Sequence, residues 1–281
     1  MTQRENVDGE VVADFGAEWS RFDQRGLSEA ERKRIFDDYF AIFPWERLTP
    51  DAVGFDLGCG SGRWAALAAP YVGYLHCVDP SSAIEVARKN LQHLPNCGFH
   101  CNSVGDMPFP DNSMDFGYSL GVLHHIPDTQ QGLNDCVRKL KPGSPFLVYL
   151  YYAFDNQPIW YRWLWKISDL GRWFISKFPN GVKYPLSQLI AVFVYFPLAR
   201  TARVLEKISV PVHSWPLSSY RNKSFYTMRT DALDRFGTKL EKRFTKLQIL
   251  TMMEYAGLEN IQFSPRMPFW CAMGYKSFRN M

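Results

Sequence analysis

Between Val53 and Tyr151 short apolar runs alternate with helix-patterned ones, and this alternation limits the fold more than any other feature of the sequence. Val53 to Leu57 reads as a strand, Arg63 to Ala69 as a helix and Gly73 to Val78 as a second strand. Ser82 to Leu94 carries Ile84, Val86, Ala87 and Leu91 at helical spacing. Gly98 to Cys101 is a weak third strand and Phe116 to Leu120 a fourth; Gln130 to Leu140 is a helix and Pro145 to Tyr151 a fifth strand. Elements of this length in this order indicate an α/β chain with a doubly wound parallel sheet and helices on both faces.

The flanks follow a different pattern. The chain up to about Pro50 reads as helical: Ser28 and Glu31 form a capping box, and Ile35, Phe36, Tyr39, Phe40 and Phe43 recur at helical spacing. From Asn156 to about Lys207 the strands stop and an aromatic, helix-like block begins. Trp160, Trp163, Leu164, Ile167, Leu170, Phe174, Ile175 and Phe178 share one face, with Arg162, Lys166, Arg172 and Lys177 largely off it. Pro185 and Pro197 predict a broken second helix rather than one long rod. A helix from Lys246 to Ala256, ended by Gly257, and two closing strands, Ile261 to Ser264 and Trp270 to Lys276, complete the chain.

Composition narrows the class. Hydrophobic residues at 46% and charged residues at 21% of 281 exclude general disorder. A net charge of +4 is too weak to imply nucleic-acid binding. Six Cys without a CxxC pair suggest neither a zinc site nor a disulfide framework. The polar N-terminus shows no signal peptide, and the longest charge-free apolar stretch, Tyr184 to Ala199, falls short of the ~20 residues of a spanning helix. A cytoplasmic location is expected. Aromatic residues make up 16%, with much of the surplus in the N-terminal helices and the 156–207 block.

The strongest chemical signal follows the first strand: Phe55-Asp56-Leu57-Gly58-Cys59-Gly60-Ser61-Gly62-Arg63-Trp64. Glycines at alternate positions let the backbone bend sharply and approach a ligand with no Cβ in the way. A helix N-terminus behind them would supply free N–H groups. The dinucleotide fingerprint would need Gly where Arg63 stands. Asp56 ahead of the loop would repel phosphates but suits a ligand bearing an ammonium group. Asp79, at the end of the second strand, is placed to hydrogen-bond ribose hydroxyls; its alternative role is to cap the next helix.

At this point the sequence resembles the class I S-adenosylmethionine-dependent methyltransferases, in particular the small-molecule type that includes the ubiquinone and menaquinone methylases. The resemblance covers about residues 50 to 152. It rests on Asp56 to Gly62, Asp79, Met107-Pro108-Phe109-Pro110-Asp111-Asn112-Ser113-Met114-Asp115, Val122-Leu123-His124-His125-Ile126 and Leu140-Lys141-Pro142-Gly143, in register. It implies a Rossmann-like, mostly parallel seven-stranded sheet. It also implies an N-terminal helical lid over 1–50, a cofactor-binding core over 51–155, a helical insertion or substrate cap over 156–240, and a C-terminal helix with closing strands over 241–281.

The resemblance also implies roles. The loop of Gly58, Cys59, Gly60 and Gly62 would hold the methionine part of S-adenosylmethionine, and Asp56 would orient its amino end. Asp79 would take the ribose hydroxyls, with Pro80 or Ser81 against the adenine. Ser103 stands where relatives carry an Asp that contacts the adenine amine; that contact would fall to its hydroxyl or to the Val104 backbone. Ser119 and Leu120 would lie beside the sulfonium. The product would be S-adenosylhomocysteine, and no metal is expected.

His124 and His125 follow the fourth strand, where one is a candidate base; the alternative is that they position the acceptor or shape the loop. Tyr151 and Tyr152 are pocket-lining candidates, and Phe15 and Trp19 are candidate lid residues that exclude water. Arg229, Arg235 or Arg243 is a candidate partner for an anionic group, though the charged stretch from 229 to 244 reads first as a solvated surface with local ion pairs. Three roles are open to the 156–207 block: a lid, a peripheral membrane contact, or a homodimer contact or extra core. The expected activity is methyl transfer to a small-molecule acceptor through an O, S, C or N atom, not to nucleic acid. The alternative is a non-catalytic cofactor-binding or membrane-surface interaction protein of the same fold.

Overall fold

A computed structural model describes residues 6–24 and 26–278. They fall into two units: one of residues 6–24, Arg32–Ala153 and 240–278, the other of 26–31 and Phe154–Lys239.

The first unit opens with α1 (Gly9–Arg21), capped by the Asp8 carboxylate, which accepts the Glu10 and Val11 N–H groups. α2 (Glu29–Tyr39) leads into the sheet and buries Phe36, with Phe40 and Phe43 beyond it. Seven strands follow: β1 (Val53–Leu57), β2 (Tyr74–Val78), β3 (Cys97–His100), β4 (Phe116–Leu120), β5 (Pro145–Tyr149), β6 (Leu258–Phe263) and β7 (Cys271–Lys276). They lie in the order β3-β2-β1-β4-β5-β7-β6, all parallel except β7, which runs antiparallel to β5 and β6. The expected seven-stranded, mostly parallel Rossmann-like sheet is therefore present. Period-2 alternation sends Phe55 and Leu57 into one core, with Phe146 and Leu123, and Leu75, Cys77, Phe116 and Tyr118 into the other. Burying one such Phe or Leu contributes roughly 1.5–3 kcal/mol.

α3 (Ala65–Ala68), α4 (Ala83–Asn90) and α5 (Thr129–Lys139) connect the parallel strands. The chain order reverses between β1 and β4. The carboxyl ends of those two strands therefore flank the crevice where ligands bind in open α/β sheets.

The second unit holds α6 (Ile159–Ile175), α7 (Asn180–Ile190), a π-helical turn (Ala191–Tyr195), α8 (Phe196–Lys207) and α9 (Phe225–Gly237). Asn180–Lys207 is one continuous helix of 28 residues, not the broken element expected from Pro185 and Pro197. The π turn ends two residues before Pro197, and its wider register eases the demand for the N–H that proline lacks. This helix is long and apolar enough to cross a membrane by length and composition. The charge-free stretch understated it, because Lys183 and Arg200 lie inside the helix.

The expected capping box at Ser28 is half formed. Ser28 Oγ accepts the Glu31 N–H at 3.3 Å. The Glu31 carboxylate instead accepts the Ser224 N–H and the Thr227 hydroxyl, both at 2.8 Å, at the N-terminus of α9, where unpaired donors attract a carboxylate. The charged stretch from 229 to 244 is not a solvated surface. Met228, Ala232 and Phe236, spaced by four, form the core of the second unit with Ala191, Tyr195 and Ala199. In the first unit, Arg243 pairs with Glu241 at 2.8 Å, their side chains 11% and 1% exposed.

Candidate functional site

The loop leaving β1 is set by backbone geometry. Gly58, Gly60 and Gly62 have φ of 73°, 53° and 77°, a region that costs other residues roughly 1–2 kcal/mol. A Cβ on Gly58 would stand 2.2 Å from Val122 Cγ2. The Gly58 and Cys59 N–H groups donate to the Val78 carbonyl at 2.7 and 3.1 Å, which carries the loop across the end of β2. The helix behind the loop is shorter than expected: α3 has four residues, and Pro70 follows in a 3₁₀ turn. A helix this short adds little dipole, so the loop's own N–H groups are the main donors.

Two buried carboxylates bracket the loop. Asp79 accepts three bonds: the Gly60 N–H at 2.9 Å, the Ser81 N–H at 2.9 Å and the Ser81 hydroxyl at 2.6 Å. It bridges loop and strand rather than capping α4, whose first-turn donor, the Ala83 N–H, goes to Ser81 Oγ at 3.2 Å. A carboxylate has about four lone-pair directions, so acceptor capacity remains. Burial raises the Asp79 pKa despite these bonds. Asp56 lies in register with Tyr118, whose hydroxyl donates to it at 3.0 Å. Burial pushes the Asp56 carboxyl up to about 8; the Tyr118 bond opposes the shift and the nearby Asp79 adds to it. Burial also pushes the Cys59 thiol up to about 11, so it is no nucleophile.

Other expected residues gather at the same strand ends. Ser103 is buried and its hydroxyl has no hydrogen-bond partner among the described residues. Val104 beside it opens a 3₁₀ turn and is buried too. Pro80 is half-buried after β2. Ser119 donates to the Leu57 carbonyl at 3.2 Å, and Leu120 ends β4. Sequence reasoning missed Gly121, the next residue. Its φ is 79°, and a Cβ placed there would meet no atom within 4 Å, so the end of β4 borders open space. A lone glycine after a strand gives only a weak signal for this.

The two histidines take different roles. His124 is fully buried and stacks on Tyr151, ring centroids 3.8 Å apart. Its Nδ1 accepts the Tyr151 N–H at 3.4 Å, which leaves the proton on Nε2, an atom with no partner among the described residues. Burial, then the neighbouring His125 and Arg243, hold its pKa well below the usual histidine range. His125 Nδ1 donates to the Leu240 carbonyl at 2.7 Å, which leaves the lone pair on Nε2. Arg243, one of the arginines expected to meet an anionic group, lies over the Tyr151 ring at 5.0 Å.

Phe15 meets His125 edge-on at 5.0 Å. Trp19 covers the loop: a Cβ on Gly60 would stand 3.0 Å from its indole, and Arg63 lies 5.0 Å over the same ring. α1 is held there because Gly16 allows it to touch Ser82; a Cβ would stand 2.6 Å from Ser82 Oγ. Tyr152 is not brought to the histidines. Successive extended residues point to opposite sides, and Tyr152 meets Phe269 and Trp270 instead, at 6.0 and 6.5 Å. Arg229 belongs to the second unit, where Gln188 Oε1 and the Tyr184 hydroxyl hold its guanidinium.

Comparison with known proteins gives a family for part of the chain. Residues 55–148 match a family model described as a methyltransferase domain. The uncharacterized methyltransferase YcgJ of Bacillus subtilis is 32% identical over 104 residues, 36% of this chain and 41% of that protein. The ubiquinone biosynthesis O-methyltransferase of Coxiella burnetii is 28% identical over 120 residues, 37% of this chain and 51% of that protein. The chain thus spans about two fifths to one half of the length of these relatives. Among solved structures, a Haloferax volcanii chain described as a methyltransferase, in complex with its methyltransferase activator, aligns with a TM-score of 0.53 at 15% identity. That alignment covers 95% of this chain and 99% of that one, a likeness of fold.

Proposed function

We propose that this chain, whose residues 55–148 form a class I S-adenosylmethionine-dependent methyltransferase domain, transfers a methyl group from S-adenosylmethionine to a small-molecule acceptor. The observation that carries the reading is the left-handed glycine loop bracketed by two buried carboxylates, Asp56 ahead of it and Asp79 bonded to Gly60.

The residues present fit this cofactor. Asp56 would take the ammonium group, Asp79 the ribose hydroxyls, and the loop of Gly58, Cys59, Gly60 and Gly62 the methionine part. Pro80 or Ser81 would lie against the adenine. The orphaned hydroxyl of Ser103, or the Val104 N–H, meets the adenine amine. Ser119 and Leu120 border the sulfur end, and the open space at Gly121 admits the ligand. When bound, S-adenosylmethionine supplies a methyl group already activated as a sulfonium substituent.

The chain's own work is placement, water exclusion and proton handling. Trp19 over the loop and Phe15 against His125 shut out water. The lone pair on His125 Nε2 accepts a proton from an oxygen, sulfur or carbon acceptor; an amine arriving deprotonated needs no base. The Nε2–H of His124 is a donor that orients the acceptor, and Tyr151 holds the ring in place.

Calorimetry with S-adenosylmethionine and S-adenosylhomocysteine tests the cofactor, and methyl-transfer assays over phenols, thiols, quinols and amines test the reaction. Binding of neither ligand would overturn the reading. Binding without turnover on any acceptor would favour a cofactor-binding module instead.

A further inference from the structure

Around its apolar core of Ala191, Tyr195, Ala199, Met228, Ala232 and Phe236, the second unit carries an outer surface of large apolar side chains unusual for a body surrounded by water. α6 turns its polar side inward. Arg172 bonds Asp169 at 2.6 Å and the Thr238 carbonyl at 3.1 Å, and Ser168 Oγ accepts from Arg235 at 2.9 Å. On the outward side, Trp163, Ile167, Leu170 and Phe174 are 60%, 68%, 67% and 61% exposed. The aromatic stripe of the sequence therefore lies outside, apart from Ile175 and Phe178, which are half-buried. The helix Asn180–Lys207 repeats the arrangement. Lys183, Ser187, Ala191 and Ala199 are buried, while Leu189, Phe193, Phe196 and Val204 are exposed. Most exposed large hydrophobic side chains among the described residues fall between Ile159 and Val210.

An amphipathic helix in water buries its apolar stripe. Polar groups bonded to each other inside and apolar groups outside are what hydrocarbon surroundings select. The long helix is not a core helix, since 28% of its most apolar window is buried.

Charge selects the occupant. Residues 156–207 carry eight Lys or Arg against two acidic residues, Asp169 and Glu206. Lys166 lies 5.0 Å over the Trp163 ring and Lys177 lies 3.2 Å over Trp173. Exposed Trp with Lys beside it is the pattern of the headgroup layer. Against a second copy, the same surface would set like charges opposite each other. We infer that the second unit seats this face on a bilayer containing anionic lipids, with α6 and the helix Asn180–Lys207 lying in the interfacial layer and the exposed side chains of Arg162, Lys166, Lys177, Arg203 and Lys207 at the headgroups.

The inference stands apart from methyl transfer, and its test needs no cofactor. The full chain is floated with vesicles of phosphatidylcholine, alone or with roughly 30% phosphatidylglycerol. Flotation with the anionic vesicles, weakened by salt, is the expected result. The variant Ile167→Asp, Leu170→Asp, Phe193→Asp changes exposed positions and should keep its helical circular dichroism while partitioning at least about tenfold less. In the unaltered chain, brominated lipids should quench tryptophan fluorescence, a measurement that does not depend on the variant folding. A chain that stays soluble beside both vesicle types, shows no quenching, or floats equally well with the three substitutions overturns the inference. So does a soluble dimer that the same substitutions dissociate.

Discussion

Asp79 accepts the backbone N–H of Gly60 at 2.9 Å, from 19 residues further along the chain. The carboxylate at the end of β2 therefore also sets the turn that leaves β1. If Asp79 holds the ribose as proposed, recognition of the ribose and of the methionine part would depend on one side chain, and a change at either end of this bond would be felt at the other.

Asp79→Ala should weaken S-adenosylhomocysteine binding by about 1–3 kcal/mol, because both the diol contact and the loop anchor are lost. Titration calorimetry reads this directly. An unchanged affinity would remove Asp79 from the site.

Asp56 should make cofactor affinity depend on pH. Its carboxyl is raised from 3.8 to about 8 by burial, with the Tyr118 bond opposing and Asp79 adding to the shift. Between those values the folded chain holds a proton that the unfolded chain has released. Its contribution to stability is therefore complete below pH 4 and is lost as pH rises through 8. An ammonium ligand favours the ionised form, so affinity should climb as pH rises towards 8 and then level. Asp56→Asn should flatten that profile and raise the melting temperature of the ligand-free chain at pH 8. A profile that stays as steep in the variant would exclude Asp56 as its source.

Gly58→Ala should destabilise the fold by about 2–4 kcal/mol in denaturant unfolding, from φ strain and the collision with Val122. Adding Val122→Ala should recover part of the loss, because the 73° φ remains strained. Full recovery would mean that the collision alone makes glycine necessary.

His125→Gln should lower kcat for a phenol or thiol acceptor about 10²-fold while sparing a deprotonated amine. Equal losses on every acceptor would make His125 a positioning residue.

The parts of the fold that local chemistry dictates were legible from residue order. The glycine loop at 58–62, the carboxylate at 79 and the strand alternation are demands of backbone geometry and period-2 burial, and they lie where expected. Elements whose character depends on a distant neighbour were not. Met228, Ala232 and Phe236 were hidden among charges that the second unit pairs internally. The helix through Pro197 continues because a π turn adjusts its register, which spacing does not reveal.

The sequence by itself therefore determined the α/β core, its order and the cofactor signature, since each is written in neighbouring residues. Tertiary structure alone decided the rest. It placed the proton on His124 Nε2 and the lone pair on His125 Nε2, through bonds to Tyr151 and Leu240. It buried Asp56 against Tyr118, and it turned the polar side of α6 inward and its aromatic side out. A helix's periodicity shows that it has two faces; which face meets the protein is settled by the partners packed against it.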